Sequence, residues 1–137
     1  MRAALSVAAV APAITAAWAI SVLVGSDAPT VSEYTWVEAL DLTYRFRTDS
    51  LAMLMVILVS GIGALVFIYA IGYFGPDADG GTRFPATLLA FSTSMLGLVL
   101  ADSVWTLFIF WELTSVTSFL LVGHKNCLLY TSDAADE

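Results

Sequence analysis

The chain has 137 residues, 59% of them hydrophobic and 12% charged, with a mean hydropathy of +0.86. A soluble domain carries about 25% charged residues, so this composition leaves too little polar surface to coat a water-soluble globule and points to a membrane protein. Five Lys and Arg against twelve Asp and Glu supply no basic patch, which excludes nucleic acid as a partner. One Cys and one His cannot build a disulfide framework, a Cys/His metal cluster or bis-histidine haem ligation. No cofactor or metal is expected.

In chain order, residues 3–26 carry no charge over 24 positions, 50–76 none over 27 and 84–101 none over 18. Residues 103–123 carry a single acid, Glu112. A hydrocarbon core about 30 Å thick needs about 20 apolar residues in a helix, and irregular backbone cannot face lipid. The fold class is therefore an all-α membrane protein, with four transmembrane helices over about 3–25, 50–74, 84–101 and 103–123. The first stretch is too long for a secretory signal, whose apolar region runs about 7–15 residues. Pro12 lies inside it, where neighbouring helices can accommodate a kink.

The connections are short. Within 27–49, Leu40, Leu42, Tyr44 and Phe46 alternate with Asp41, Thr43, Arg45 and Arg47, the period of a strand with one buried face. With 31–37 as partner, a short β-hairpin over about 29–48 is expected, outside the membrane. Residues 75–81, Gly-Pro-Asp-Ala-Asp-Gly-Gly, are turn chemistry. Asp102 and Ser103 alone separate the last two spans, and either can cap the final helix. Arg2, Arg83 and Lys125 lie inside, and Arg45 and Arg47 outside, if the N-terminus is cytoplasmic; the positive-inside bias favours that orientation.

Glu112 is the most informative residue. Nine residues into its span from Ser103, it lies about 13.5 Å deep, near mid-membrane. An acid there costs about 2.5–3.5 kcal/mol on insertion scales and usually marks an ion pathway or proton relay. Apolar surroundings favour a neutral carboxyl and a nearby cation the ionised one, so a carboxyl held between the two can load and release a proton. Against this stands a structural acid that joins helices through a hydrogen bond. Ser115 and Ser118, following at steps of three, extend a polar face with Trp105 and Phe119, and the expectation is that this face points to the bundle interior. Thr114, Thr117, Ser92, Thr93 and Ser94 read as interhelical packing residues. Gly61 and Gly63 also read as sites of close helix packing rather than a phosphate loop. Trp18, Trp36 and Trp105 fit interfacial anchors or core; Trp111 lies too deep for a belt, and His124 and Lys125 fit the interface.

The run FWELTSVTSFLLVG at 110–123, preceded by SMLGLVLAD at 94–102, resembles the A subunit of multisubunit Na+/H+ (Mrp-type) antiporters. It is related to the large antiporter-like membrane subunit of respiratory complex I. DSLAMLM at 49–55, GIGAL at 61–65 and a preceding external hairpin fit the same family, so the resemblance covers about 30–126. The Trp-Glu-Leu-Thr-Ser core separates the antiporter branch from complex I, whose pattern after Trp-Glu tends towards glycine. The resemblance implies that Glu112 belongs to the fifth helix of such a subunit and pairs with a lysine two helices later, driving protons towards a central lysine in a broken helix. It implies partners of three kinds: other subunits of a membrane antiporter complex, the lipid bilayer, and protons with Na+. It also implies a multi-pass location in the cell membrane, the bacterial plasma membrane.

The family has a further helix before this first span and continues for several hundred residues, so the chain reads as a truncated part of an antiporter-like bundle, inactive as a fragment. Residues 127–137 match the in-frame translation of a transposon-based sequencing adapter and are expected not to belong to the protein. They hold its only Cys, Cys127. Two other functions compete. One is a complex I subunit using the same acid in redox-driven pumping. The other is a small membrane anchor or assembly protein without transport.

Overall fold

The computed structural model describes residues 2–25, 29–37, 42–73 and 82–133, with 2 and 124–133 as backbone only. Four helices, α1 (Arg2–Gly25), α2 (Ser50–Tyr73), α3 (Arg83–Leu100) and α4 (Val104–Asp133), are interrupted once by strands β1 (Thr30–Val37) and β2 (Leu42–Thr48). Every helix is long and apolar enough to cross a membrane, over Ala3–Gly25, Ser50–Tyr73, Arg83–Leu100 and Val104–Gly123. The spans expected from hydropathy are met within a residue or so, and the segment is multi-pass. The turn expected at 75–81 lies outside the described residues, as do Leu40 and Asp41. Past Gly123 the backbone of α4 stays helical to Asp133, beyond the span that hydropathy delimits.

Local chemistry sets the helix starts. The Asp49 carboxylate accepts the Ala52 N–H at 2.8 Å, an N-cap bond to the third helical residue of α2. Ser103 does the same for α4, its hydroxyl accepting the Thr106 N–H at 3.1 Å. Of the two caps open in the sequence, Ser103 is the one used, and Asp102 is left for another partner. Pro12 sits inside α1 without ending it.

Helix α1 packs along α2 and α3 along α4, with α2 and α3 joining the pairs. One cluster at the hairpin end joins Ala19, Met53 and Val56, with Leu96, Val99 and Leu100 against it. The other, at the far end, joins Leu5, Ala8, Phe67, Ala70 and Leu88. Lipid tails are as apolar as these side chains, so close packing rather than escape from water holds such helices together. The remaining apolar surface faces outward, since only 11% to 28% of each span is buried.

The hairpin is antiparallel, pairing Thr30 with Thr48 and Tyr34 with Tyr44, and a bulge at Trp36 precedes the pairing of Val37 with Leu42. Alternation in β2 is as expected: Tyr44 and Phe46 stack on one face, and Arg45 and Arg47 occupy the other, exposed, face. Arg45 pairs with Glu33 across the strands at 2.8 Å. The apolar face is half-buried, not buried, because the two-stranded sheet meets the helices chiefly along β2.

Candidate functional site

Helix α4 supplies every residue of the candidate site, so its rotation decides the site's character. Thr106 is fully buried and Thr117 is 8% exposed, while Phe110, Thr114 and Leu121 are half-buried. These five recur at steps of three and four and form one stripe, the side on which α4 packs against the other helices. Glu112 follows Phe110 by two residues, about 200° around a helix of 3.6 residues per turn. It is exposed, on the face opposite the packing stripe. Trp105, Phe108 and Phe119 share that outer side, exposed by 39%, 53% and 75%.

The expectation that the Glu112 face points into the bundle is therefore not met by these four helices. The aromatic and hydroxyl residues around Glu112 suggested an interior face, but the contacts with α3 are made by the stripe on the other side. Along the helix, Glu112 lies about 12 Å from Val104, near the middle of the apolar stretch Val104–Gly123.

Ser115 is exposed and Ser118 half-exposed. Both line a groove of about 420 Å³ between α3 and α4, with Trp111 and Thr114 of α4 and Phe91, Met95 and Leu98 of α3. Glu112 lies outside that groove's lining. The hydroxyls turn back onto their own helix: Ser115 donates to the Trp111 carbonyl at 3.2 Å, Ser118 to the Ser115 carbonyl at 2.9 Å and Thr114 to the Trp111 carbonyl at 2.7 Å. Each hydroxyl oxygen keeps acceptor capacity towards the groove. The structure thus brings Ser115 and Ser118 to one groove and leaves Glu112 on the adjacent outer face.

The remaining hydroxyls match the packing assignment in part. Ser92 and Ser94 are buried, at 7% and 5% exposure, and Thr93 is exposed, bonded back to the Leu89 carbonyl at 2.9 Å. Of the two glycines expected at close contacts, Gly63 lies near Pro12 and Ser92, while Gly61 has open space where a side chain would start. The tightest glycine is Gly97, where a Cβ would overlap the Phe110 ring. Neither hydropathy nor motif spacing points to it. A second group missed in the sequence joins the hairpin to α4. Arg47 Nε donates to Asp102 Oδ1 at 2.6 Å, and the Arg45 N–H donates to Thr106 Oγ1 at 3.1 Å. The Arg47 hydrogen bond, more than the charges of Arg47 and Arg45, holds the Asp102 carboxyl below its ordinary range against the opposing effect of desolvation. Its signal in the sequence was slight: two arginines on one strand face and an acid in a two-residue turn.

Residues 35–84 match the family described as NADH-Ubiquinone oxidoreductase (complex I), chain 5 N-terminus. Antiporter subunit mnhA2 of Staphylococcus haemolyticus (strain JCSC1435) is 42% identical over 89 residues, covering 65% of this chain and 11% of that protein. Its counterpart from Staphylococcus aureus (strain MRSA252) is 43% identical over the same length, 65% of this chain and 11% of that protein. A chain in the structure of the Mrp complex from Dietzia sp. DQ12-45-1b superposes with a TM-score of 0.71 at 36% identity, covering 81% of this chain and 12% of that one. The chain thus spans about a tenth of the length of the relatives it matches. The resemblance to the A subunit of Mrp-type antiporters, and through it to complex I, is borne out.

Proposed function

We propose that the chain is part of a proton-translocating membrane subunit of a multisubunit monovalent cation/H+ antiporter. In this reading the exchanged cation is Na+, the membrane is the bacterial plasma membrane, and Glu112 is the proton-handling group. The observation that carries the proposal is the position of Glu112 at mid-depth on the face of α4 opposite its packing stripe. An acid exposed to lipid at that depth is costly, and such acids almost always face protein or a water-filled cavity. The outer face of α4 is therefore a surface that further helices of the same subunit cover, which brings a polar partner to the carboxylate. Relatives named as antiporter subunits and as an Mrp complex, of which this chain matches about a tenth, support that reading. A membrane anchor without transport has no reason to bear the cost of the acid.

The test is Glu112→Gln in an intact subunit carrying this segment, assembled with its partner subunits. Glutamine keeps the shape and hydrogen bonding of the side chain and removes its titration. Na+-driven proton movement in inverted vesicles is expected to collapse while subunit abundance holds, and Glu112→Asp is expected to keep part of the activity. Normal exchange by the glutamine variant would make the acid structural. The 137-residue chain by itself is expected to show no exchange. A complex I subunit is the second reading, favoured by the family description matched at 35–84. The neighbouring genes decide between them, since small antiporter subunits accompany one and quinone oxidoreductase subunits the other.

A further inference from the structure

We infer that the hairpin is a clamp that sets the rotation and depth of α4, and that Arg47, Asp102, Thr106 and Phe110 are positioning residues for Glu112. The functional half of this inference rests on the proton-handling reading of Glu112; the mechanical half does not.

The clamp has three fastenings. At the α3–α4 turn, the Asp102 N–H donates to the Arg45 carbonyl at 2.9 Å, and Phe46 bridges Ala101 along the free edge of β2. The Arg47 side chain closes the same turn through its 2.6 Å bond to the Asp102 carboxylate. Together these prevent the turn from sliding along the strand. One turn into α4, Thr106 is fully buried, and its hydroxyl oxygen accepts from the Arg45 N–H at 3.1 Å while bonding the Ser103 hydroxyl at 2.8 Å. Because a single residue step rotates the helix by about 100°, only one rotation of α4 presents that hydroxyl to β2. A turn deeper, the Phe46 ring packs edge-on to Phe110 at 5.8 Å, and Phe110 seats in the notch left by Gly97.

Phe110 and Glu112 point opposite ways. Seating the ring against α3 therefore aims the carboxyl at the far side of the helix, and the turn held by Arg47 and Asp102 fixes how deep it lies. The continuous contact of Trp36 with Tyr44 at 5.7 Å, Tyr44 with Phe46 at 6.5 Å and Phe46 with Phe110 at 5.8 Å makes the hairpin and α4 one stiff unit. No interior packing of β1 is needed for this, and β1 is exposed for nearly its whole length.

The experiment places a spin label at Val116→Cys, on the exposed side of α4, in an intact antiporter subunit in liposomes. Depth relative to α2 is read from the dipolar distance to a second spin label at Leu58→Cys, on an exposed position of α2. Asp102→Ala and Thr106→Val are each expected to move the label by about one residue's rise, 1.5 Å, or more, and to loosen its motion. Thr106→Ser, which keeps the hydroxyl, is expected to hold wild-type depth and remains informative if Asp102→Ala fails to assemble. Unchanged depth and motion in both Asp102→Ala and Thr106→Val would overturn the clamp. Exchange measured across pH on the same variants is expected to show a displaced profile for Asp102→Ala and Thr106→Val and a wild-type profile for Thr106→Ser. A shifted label with an unshifted profile would overturn the positioning role. Normal transport by Glu112→Gln with a shifted label would remove the proton reading and leave the clamp standing.

Discussion

Two residues apart on α4, Phe110 and Glu112 have opposite fates: one ring is wedged against α3 and one carboxylate is left facing outward. The wedge depends on the absence of a side chain at Gly97, because a methyl group there would overlap the Phe110 ring. Gly97→Ala is therefore expected to destabilise the helix pair by about 1–3 kcal/mol, the usual cost of overpacking, even though alanine is the better helix former. Thermal unfolding in detergent, followed by helical circular dichroism, measures this. The smaller ring-free side chain of Phe110→Leu should relieve the overlap, so the double variant is expected to recover part of the loss. Gly61→Ala serves as the control: open space surrounds that position, and the substitution is expected to be neutral or slightly stabilising.

At the scale of elements, the helix starts and the hairpin depend on a few polar bonds. Asp49→Ala removes the acceptor for the Ala52 N–H and is expected to cost about 1 kcal/mol, the typical worth of an N-cap. The Arg47–Asp102 pair has a defined pH window. Asp102 is held below its ordinary range chiefly by the Arg47 hydrogen bond, and Arg47 is raised above its own by the same bond. A depressed carboxyl stabilises the fold fully above its unfolded pKa, about 3.9, and loses that contribution as pH falls through the lower folded value. A raised cation is lost only above its folded value. The latch is thus intact throughout the neutral range and opens only under acid. Hydrogen-exchange protection of the β2 amides is expected to be constant from about pH 5 to 8 and to fall below that range, and Asp102→Asn should abolish the acid-dependent part. The exposed Glu33–Arg45 pair contributes little, as surface pairs do.

For the whole molecule, the alternation of four spans puts the start of α3 at the end opposite the hairpin. With Arg2, Arg83 and Lys125 towards one end and Arg45 and Arg47 at the other, the positive-inside bias is three to two, and the expectation is that the hairpin faces away from the cytoplasm. A cysteine at Thr82 is expected to react with an impermeant thiol reagent only from the cytoplasmic side, and one at Thr35 only from outside. Labelling of Thr35→Cys from the cytoplasm would invert the topology. The four helices bury little of their own surface, and an apolar cleft of about 390 Å³ between α2 and α3 reaches from Leu58 to Leu121. Such a bundle keeps most of the area of its spans outward-facing.

The sequence by itself determined the membrane class, the four apolar spans to within a residue or so, the strand alternation in β2 and the position of Glu112 midway along its apolar stretch. All of these follow from one-dimensional properties: the length of an apolar run against a fixed bilayer thickness, a period of two, and the rise per residue of a helix. The resemblance carried by the Trp-Glu-Leu-Thr-Ser run was legible for the same reason, as a string. Rotation was not. Apart from Glu112 and small hydroxyls, α4 is apolar all round between Val104 and Gly123, so no hydrophobic stripe marks the side that packs on α3, and the aromatic neighbours Trp105, Phe108 and Phe119 lie on the side turned away from it. Which side meets α3 was decided by Phe110 finding Gly97 and by Thr106 meeting β2, contacts between residues 13 and 61 positions apart. The choice of Ser103 over Asp102 as the cap was likewise settled by Arg47, 55 residues away. Shape and long-range pairing leave no periodic trace in a chain this uniformly apolar, and only the tertiary structure resolves them.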